Sequence, residues 1–322
     1  MNRLVIILPY FGEFPNYFQL FLNSCAYNND ICDWQIYTDN RREYKYPSNV
    51  KVFNRSFEDI VKIIHEKIGE ECIVSNPYKL CDYKPAYGKI FEDNIEGYDF
   101  WGHCDCDLIF GKMSDFINNE MLEYDKIFRL GHLVFYRNNK NVNERFMLPI
   151  NGVYRYKQVF SKEENCIFDE ANENNELSID DIWSEYGFSC YINDYLIANT
   201  YYKSNDFVLV YQKDRFPFDK EKRKKAIFIW NEGRLIRYCK EKEKIVEKEF
   251  LYIHLMRRKM KINITNENKR YAIIPNAFDN VDFIPKNVNE LRKMRIKRMN
   301  NQYLSTRWIN LKKKIEKKFG RK

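Results

Sequence analysis

Glycine and proline are scarce in this chain, 11 and 9 among 322 residues. That scarcity excludes collagen-like and flexible low-complexity proteins, which are built on those residues. No Gly-rich phosphate loop occurs, so neither a Walker sequence nor a dinucleotide fingerprint underlies nucleotide binding here. Histidine is rarer still, with four copies. The nine cysteines are odd in number and scattered without a CxxC pair, so they read as reduced thiols and not as a disulfide framework. No apolar run approaches the roughly 20 residues of a membrane span. The apolar opening from Leu4 to Leu8 ends after five residues at Pro9, too short for a signal peptide. A cytoplasmic protein is expected.

What is present is aromatic and apolar. There are 24 Tyr and 24 Phe, and 44% of the chain is hydrophobic, enough for one large core or two modest ones. Charge is unevenly placed. Residues 290–322 hold thirteen Lys/Arg and two acidic residues, a net of +11 against +8 for the whole chain, which leaves the body at −3. A polyanionic partner is therefore a partner of the tail.

The order of elements reads as α/β. Residues 3–8 form a continuous apolar run, as a central parallel strand does. Residues 17–25 have helical spacing, and residues 33–38 form a second strand. This is a βαβ unit, whose ligands bind beyond the carboxyl ends of the strands. Tyr10 and Asp39 stand at those ends. Residues 50–53 read as a strand, and Ser56 with Asp59 as a capping box for a helix over 57–68. A helix is expected over 116–122, and strands over 125–130 and 133–136 on either side of Gly131-His132. Residues 179–186 read as a helix with Asp180 and Asp181 favouring its dipole. Residues 226–230 and 234–239 form a hairpin, and 249–254 a strand.

The central stretch is residues 98–111, an aromatic, apolar strand that closes on Asp105-Cys106-Asp107. Alternation along a strand puts Asp105 and Asp107 on one side and Cys104 and Cys106 on the other. Carboxylates so paired suit a hard cation, Mg²⁺ or Mn²⁺, held together with a substrate phosphate. Zinc on His103, Cys104 and Cys106 is disfavoured, because the thiols point away from Asp105 and no second Cys pair follows at ligand spacing.

This motif and its setting resemble the DxD motif of GT-A-fold glycosyltransferases of the bacterial capsule or lipopolysaccharide type. The resemblance implies a Rossmann-like nucleotide-binding mixed sheet flanked by helices over residues 1–286. It implies a nucleoside-diphosphate-sugar donor, a UDP-sugar first, and a saccharide or lipid-linked acceptor. In such enzymes Asp105 and Asp107 would hold Mn²⁺ or Mg²⁺, with His254 as a third ligand. Arg257, Arg258 and Lys259 would face the diphosphate. Lys84, in the basic aromatic stretch 78–88, would contact phosphate. Tyr10 and Asp39 would hold base and ribose. Asp169 or Glu170, between a strand-like segment and a polar loop at 171–176, would be the acceptor-side carboxylate. Two alternatives remain open: a metal-dependent nucleotidyltransferase or phosphohydrolase, and a nucleic-acid-binding protein acting through its tail. The acidic body argues against the second, so no nucleic-acid partner is expected.

Residues 287–322 read as a basic amphipathic tail. Leu304, Trp308, Leu311, Ile315 and Phe319 share one helix face, with Arg307, Lys312, Lys313, Lys314, Lys317 and Lys318 on the other. Such a helix suits an anionic membrane surface, as a peripheral protein at the inner face. The competing arrangement packs the apolar stripe onto the body.

Overall fold

The computed structural model describes residues 3–171, 176–193, 197–200, 205–210, 218–220 and 225–319, with only the backbone at 218–220 and 317–319. The chain divides into two compact units: Met1–Phe14, Asn28–Cys106 and Ser114–Asn193 form one, and Pro15–Tyr27, Asp107–Met113 and Asp194–Lys322 the other.

The first unit is built on a seven-stranded sheet. Its order is Val50–Asn54, Cys32–Thr38, Leu4–Pro9, Phe100–Cys104, Leu133–Arg137, Lys126–Leu130 and Cys190–Tyr191. The first four strands are mutually parallel, and Leu133–Arg137 runs antiparallel to Phe100–Cys104. The apolar runs predict this placement: all of Phe100–Cys104 and all but Pro9 of the first strand are buried. Trp101 stacks on Tyr136 at 4.6 Å, inside a core that also takes Ile60 and Ile64 from the helix Phe57–Lys67. The expected capping box closes that helix, with Ser56 and Asp59 bonded reciprocally.

The second unit carries two sheets. One orders Phe218–Lys220, Val208–Val210, Ile197–Asn199, Tyr252–His254 and Leu108–Phe110. The other orders Lys244–Glu249, Arg234–Glu241, Ile227–Asn231, Arg270–Ile274, Ala277–Asp279 and Lys261–Ile262. The expected hairpin is present, closed by Glu232 and Gly233 at φ 46° and 89°, the left-handed pair that a tight turn between twisted strands demands. Trp230 and Tyr271 stack at 5.1 Å in its core. The helix Val288–Ile296 buries Leu291 and Met294 against this sheet, and the helix Asn301–Phe319 ends the described chain.

Together these make a mixed α/β protein with sheets flanked by helices and a C-terminal helix. Among the described residues no helix is long and apolar enough to cross a membrane.

Several expectations change. Residues 98–111 are not one strand: Phe100–Cys104 and Leu108–Phe110 pair in different sheets, and Asp105, Cys106 and Asp107 lie between them. The run is apolar at both ends, so pattern alone cannot see the break. Residues 116–120 form no helix; the Asn118 side chain accepts from Met121 N at 3.1 Å and starts a short 3₁₀ helix over Met121–Glu123 instead. The strand expected over 249–254 is two, Lys244–Glu249 and Tyr252–His254, again in different sheets. Asp180 does more than favour a dipole, since it pairs with Lys126 and Arg129. No strand precedes Asp169; Ile167 has φ 52° in an irregular segment. Residues 172–175 of the loop expected after it lie outside the described residues.

Candidate functional site

In the first unit the site is organised by the turn between Lys126–Leu130 and Leu133–Arg137. A bulge between Ile127 and Leu130, with Phe128 at φ 69°, bends the strand just before it. The Gly131 carbonyl accepts from Lys84 Nζ at 2.7 Å, and the Gly131 N–H donates to Glu170 Oε2 at 2.8 Å. The His132 carbonyl accepts from Asp105 N at 3.2 Å. Lys84 Nζ also donates to Asp105 Oδ1 at 2.9 Å and lies 3.3 Å from Asp169 Oδ2. One buried ammonium thus ties the end of the motif strand, the turn and Asp169 together. A side chain at Gly131 would collide with this arrangement, since an added Cβ would sit 2.4 Å from Asp169 Oδ2.

A second buried pair presents Asp169. Lys79 and Asp82 are 2.8 Å apart with both side chains fully buried. Lys79 Nζ also donates to the carbonyls of Val159 and Glu164, while Asp82 accepts from the N–H groups of Cys166 and Phe168. The irregular segment leading to Asp169 is held from below by these bonds.

Titration follows from this packing. Burial opposes the charge on Lys84, but Asp105 and then Asp169 outweigh it, and its pKa stands well above the usual lysine value. Burial raises the Asp169 carboxyl, with Lys84 opposing it and Asp105 and Asp82 adding to it. Glu170, half-buried, is pushed up to about 7, by burial first and Asp169 second, with the Gly131 N–H opposing. Burial and then Lys84 hold His103 well below the usual histidine value, so this fully buried ring is neutral.

Tyr10 and Asp39 are brought together at the ends of adjacent parallel strands. Tyr10 N donates to the Tyr37 carbonyl at 2.9 Å, and Asp39 Oδ1 accepts from Gly12 N at 3.1 Å. Tyr10 stacks on Phe14 at 4.8 Å, and Phe14 meets Tyr44 edge-on at 5.9 Å.

In the second unit Asp107 and His254 are 2% and 8% exposed. The Asp107 carbonyl accepts from Leu255 N at 2.9 Å, and its Oδ2 accepts from Arg257 N. Met256 and Arg257 adopt φ 51° and 50°, a left-handed pair that turns the Arg257 N–H back onto the carboxylate. Asp107 Oδ1 makes no hydrogen bond, although His254 Nε2 lies 3.2 Å away. Asp107 and His254 thus form a buried carboxylate–imidazole pair within this unit, and Asp105, two residues earlier in the chain, belongs to the first unit. Among the described residues, His103, Cys104 and Cys106 form no group that could hold a metal ion.

Two expected phosphate contacts are corrected. Lys84 is buried, donates to Asp105 and to the Gly131 carbonyl, and is ion-paired with Asp169, so its ammonium is engaged within the protein. Arg258 is buried, its guanidinium donates to Thr200 O and Asn276 Oδ1, and burial lowers its pKa to about 10. Arg257 and Lys259, on either side of it, are exposed.

A family described as being of unknown function, DUF6625, matches residues 6–282. The chain belongs to that family. No curated protein matches it. The DUF6625 match takes in Asp105, Asp107, Asp169, Glu170 and His254 and stops before the last two helices. Within the DUF6625 region, the positioning residues Lys79, Asp82 and Gly131 escape a sequence reading. The Lys79–Asp82 spacing of three in a helical stretch was their one available signal.

Proposed function

We propose that this DUF6625 protein is a metal-dependent glycosyltransferase of GT-A type. It would move a sugar from a nucleoside-diphosphate donor, a UDP-sugar first, to a saccharide or lipid-linked acceptor, the chemistry of capsule or lipopolysaccharide assembly. One observation carries the reading: the buried Asp107 Oδ1 has no hydrogen bond and sits 3.2 Å from an imidazole nitrogen. A buried acceptor left bare costs about 1–3 kcal/mol, and a divalent cation would satisfy it. The donor set fits, since two carboxylates and one imidazole suit Mn²⁺ or Mg²⁺ and leave positions for phosphate oxygens.

Asp105, Asp107 and His254 would hold the cation, which supplies charge stabilisation to a diphosphate leaving group. Exposed Arg257 and Lys259 would bind the same diphosphate. Tyr10 and Asp39 would orient base and ribose. Glu170, with its pKa near 7, is suited to take a proton from an acceptor hydroxyl. Asp169, locked to Lys84, acts as a positioning residue.

Thermal shift with UDP and other nucleoside diphosphates, with and without Mn²⁺, tests this reading. A Mn²⁺-dependent rise is expected, because a ligand of the folded state stabilises it by mass action. Asp107→Asn should keep the fold and lose the rise. Unchanged Mn²⁺-dependent nucleotide binding in that variant removes the site. Release of sugar from a donor, without nucleotide incorporation, separates this reading from a nucleotidyltransferase.

A further inference from the structure

We propose that the helix Asn301–Phe319 docks the protein on an anionic lipid surface, through the face turned away from the unit that carries it. The face that packs is polar. Thr306 is 4% exposed, and Gln302, Tyr303 and Asn310 are partly buried beside it. The helix start is pinned by Asn300 Nδ2 donating to Asn276 O at 2.8 Å and by Asn205 Nδ2 donating to Tyr303 O at 3.2 Å. The apolar stripe is open: Leu304, Trp308, Leu311 and Ile315 are 64%, 66%, 49% and 48% exposed. At about 100° per residue they lie roughly 140–180° around the axis from Thr306. This reverses the usual arrangement, in which a helix buries its apolar face against the body. The arrangement that packs the stripe inward is overturned. Phe319, Lys317 and Lys318 lie outside the residues whose side chains are described.

Charge identifies the occupant. Arg307 and Lys314 flank one side of the stripe and Lys312 the other, on the same wheel. Glu316, the one acidic residue on this helix, lies 3.9 Å from Lys312. A second copy seated on the stripe would set these basic flanks against each other. An anionic bilayer supplies opposite charge to the flanks and apolar depth to the stripe. The helix is about 28 Å long, and its basic flanks keep it in the interface plane.

The test is co-sedimentation of the full chain with phosphatidylcholine vesicles, with and without phosphatidylglycerol, across salt concentrations. Trp308→Ser/Leu311→Ser serves as the comparison, both sites being exposed, so its melting temperature should match the parent. The parent should pellet with the anionic vesicles at low salt, leave them at high salt and ignore the neutral ones. Its Trp308 emission should shift to the blue on binding. The double variant should partition about tenfold more weakly or worse. Equal binding of parent and variant, equal binding to neutral vesicles, or no pelleting would overturn the proposal. So would a dimer in solution that the double variant dissolves.

Discussion

Removing Lys84 would leave Asp169 buried without its counter-charge. Stripping one partner from a buried ion pair costs about 3–5 kcal/mol, and Lys84→Met should lose that much in urea unfolding. Lys84→Arg should not restore it, because a planar guanidinium cannot reach Asp105, Asp169 and the Gly131 carbonyl from one point as a compact ammonium does. A loss within about 0.5 kcal/mol, the scale of an ordinary surface change, would show that Lys84 does not hold the strand end, the turn and Asp169 together. Glu170 gives a pH signature. Its carboxyl keeps a proton to about pH 7 in the folded chain, against a usual value of 4.5. Between those values the folded state holds more protons than the unfolded one, so this group's stabilisation is complete below 4.5 and lost as pH rises through 7. Glu170→Gln, uncharged throughout, should flatten that fall in a series of melting temperatures. An unaltered slope would assign the pH dependence to another group.

At the scale of elements, the turn at Gly131 does most to assemble the first unit's cluster of Lys84, Asp105, Asp169 and Glu170. It joins two antiparallel strands, yet its carbonyl, its N–H and the next carbonyl are spent on Lys84, Glu170 and Asp105. Gly131→Ala puts a carbon where Asp169 Oδ2 now lies, so the carboxylate must move. Such overpacking costs about 1–3 kcal/mol. The variant should melt lower and also lose Mn²⁺-dependent nucleotide stabilisation. If it melts lower with that stabilisation intact, the turn is structural only. The segment presenting Asp169 depends likewise on the Lys79–Asp82 pair, a contact that neither its loop nor its φ values reveal.

For the whole molecule, the elements with a strong local signature stand where the sequence puts them. The parallel strands Leu4–Pro9 and Cys32–Thr38, the Ser56–Asp59 capping box, the hairpin at Glu232-Gly233 and the amphipathic helix with Trp308 are examples. Each depends on side-chain period, a cap or a turn residue, which are properties of a few neighbouring residues. What only the tertiary structure decided is which distant groups meet. Phe100–Cys104 and Leu108–Phe110 look like one strand until their partners, Leu133–Arg137 and Tyr252–His254, place them in different sheets. His254 meets Asp107 because Tyr252–His254 pairs with Leu108–Phe110. Lys84 and Arg258 read in the sequence as phosphate contacts, whereas long-range partners bury them. The tail's apolar stripe faces outward because Thr306, not Leu311, contacts the body. Strand period and helix spacing act within a few residues, whereas burial of a charge and pairing of sheet edges are settled by groups far apart in the chain.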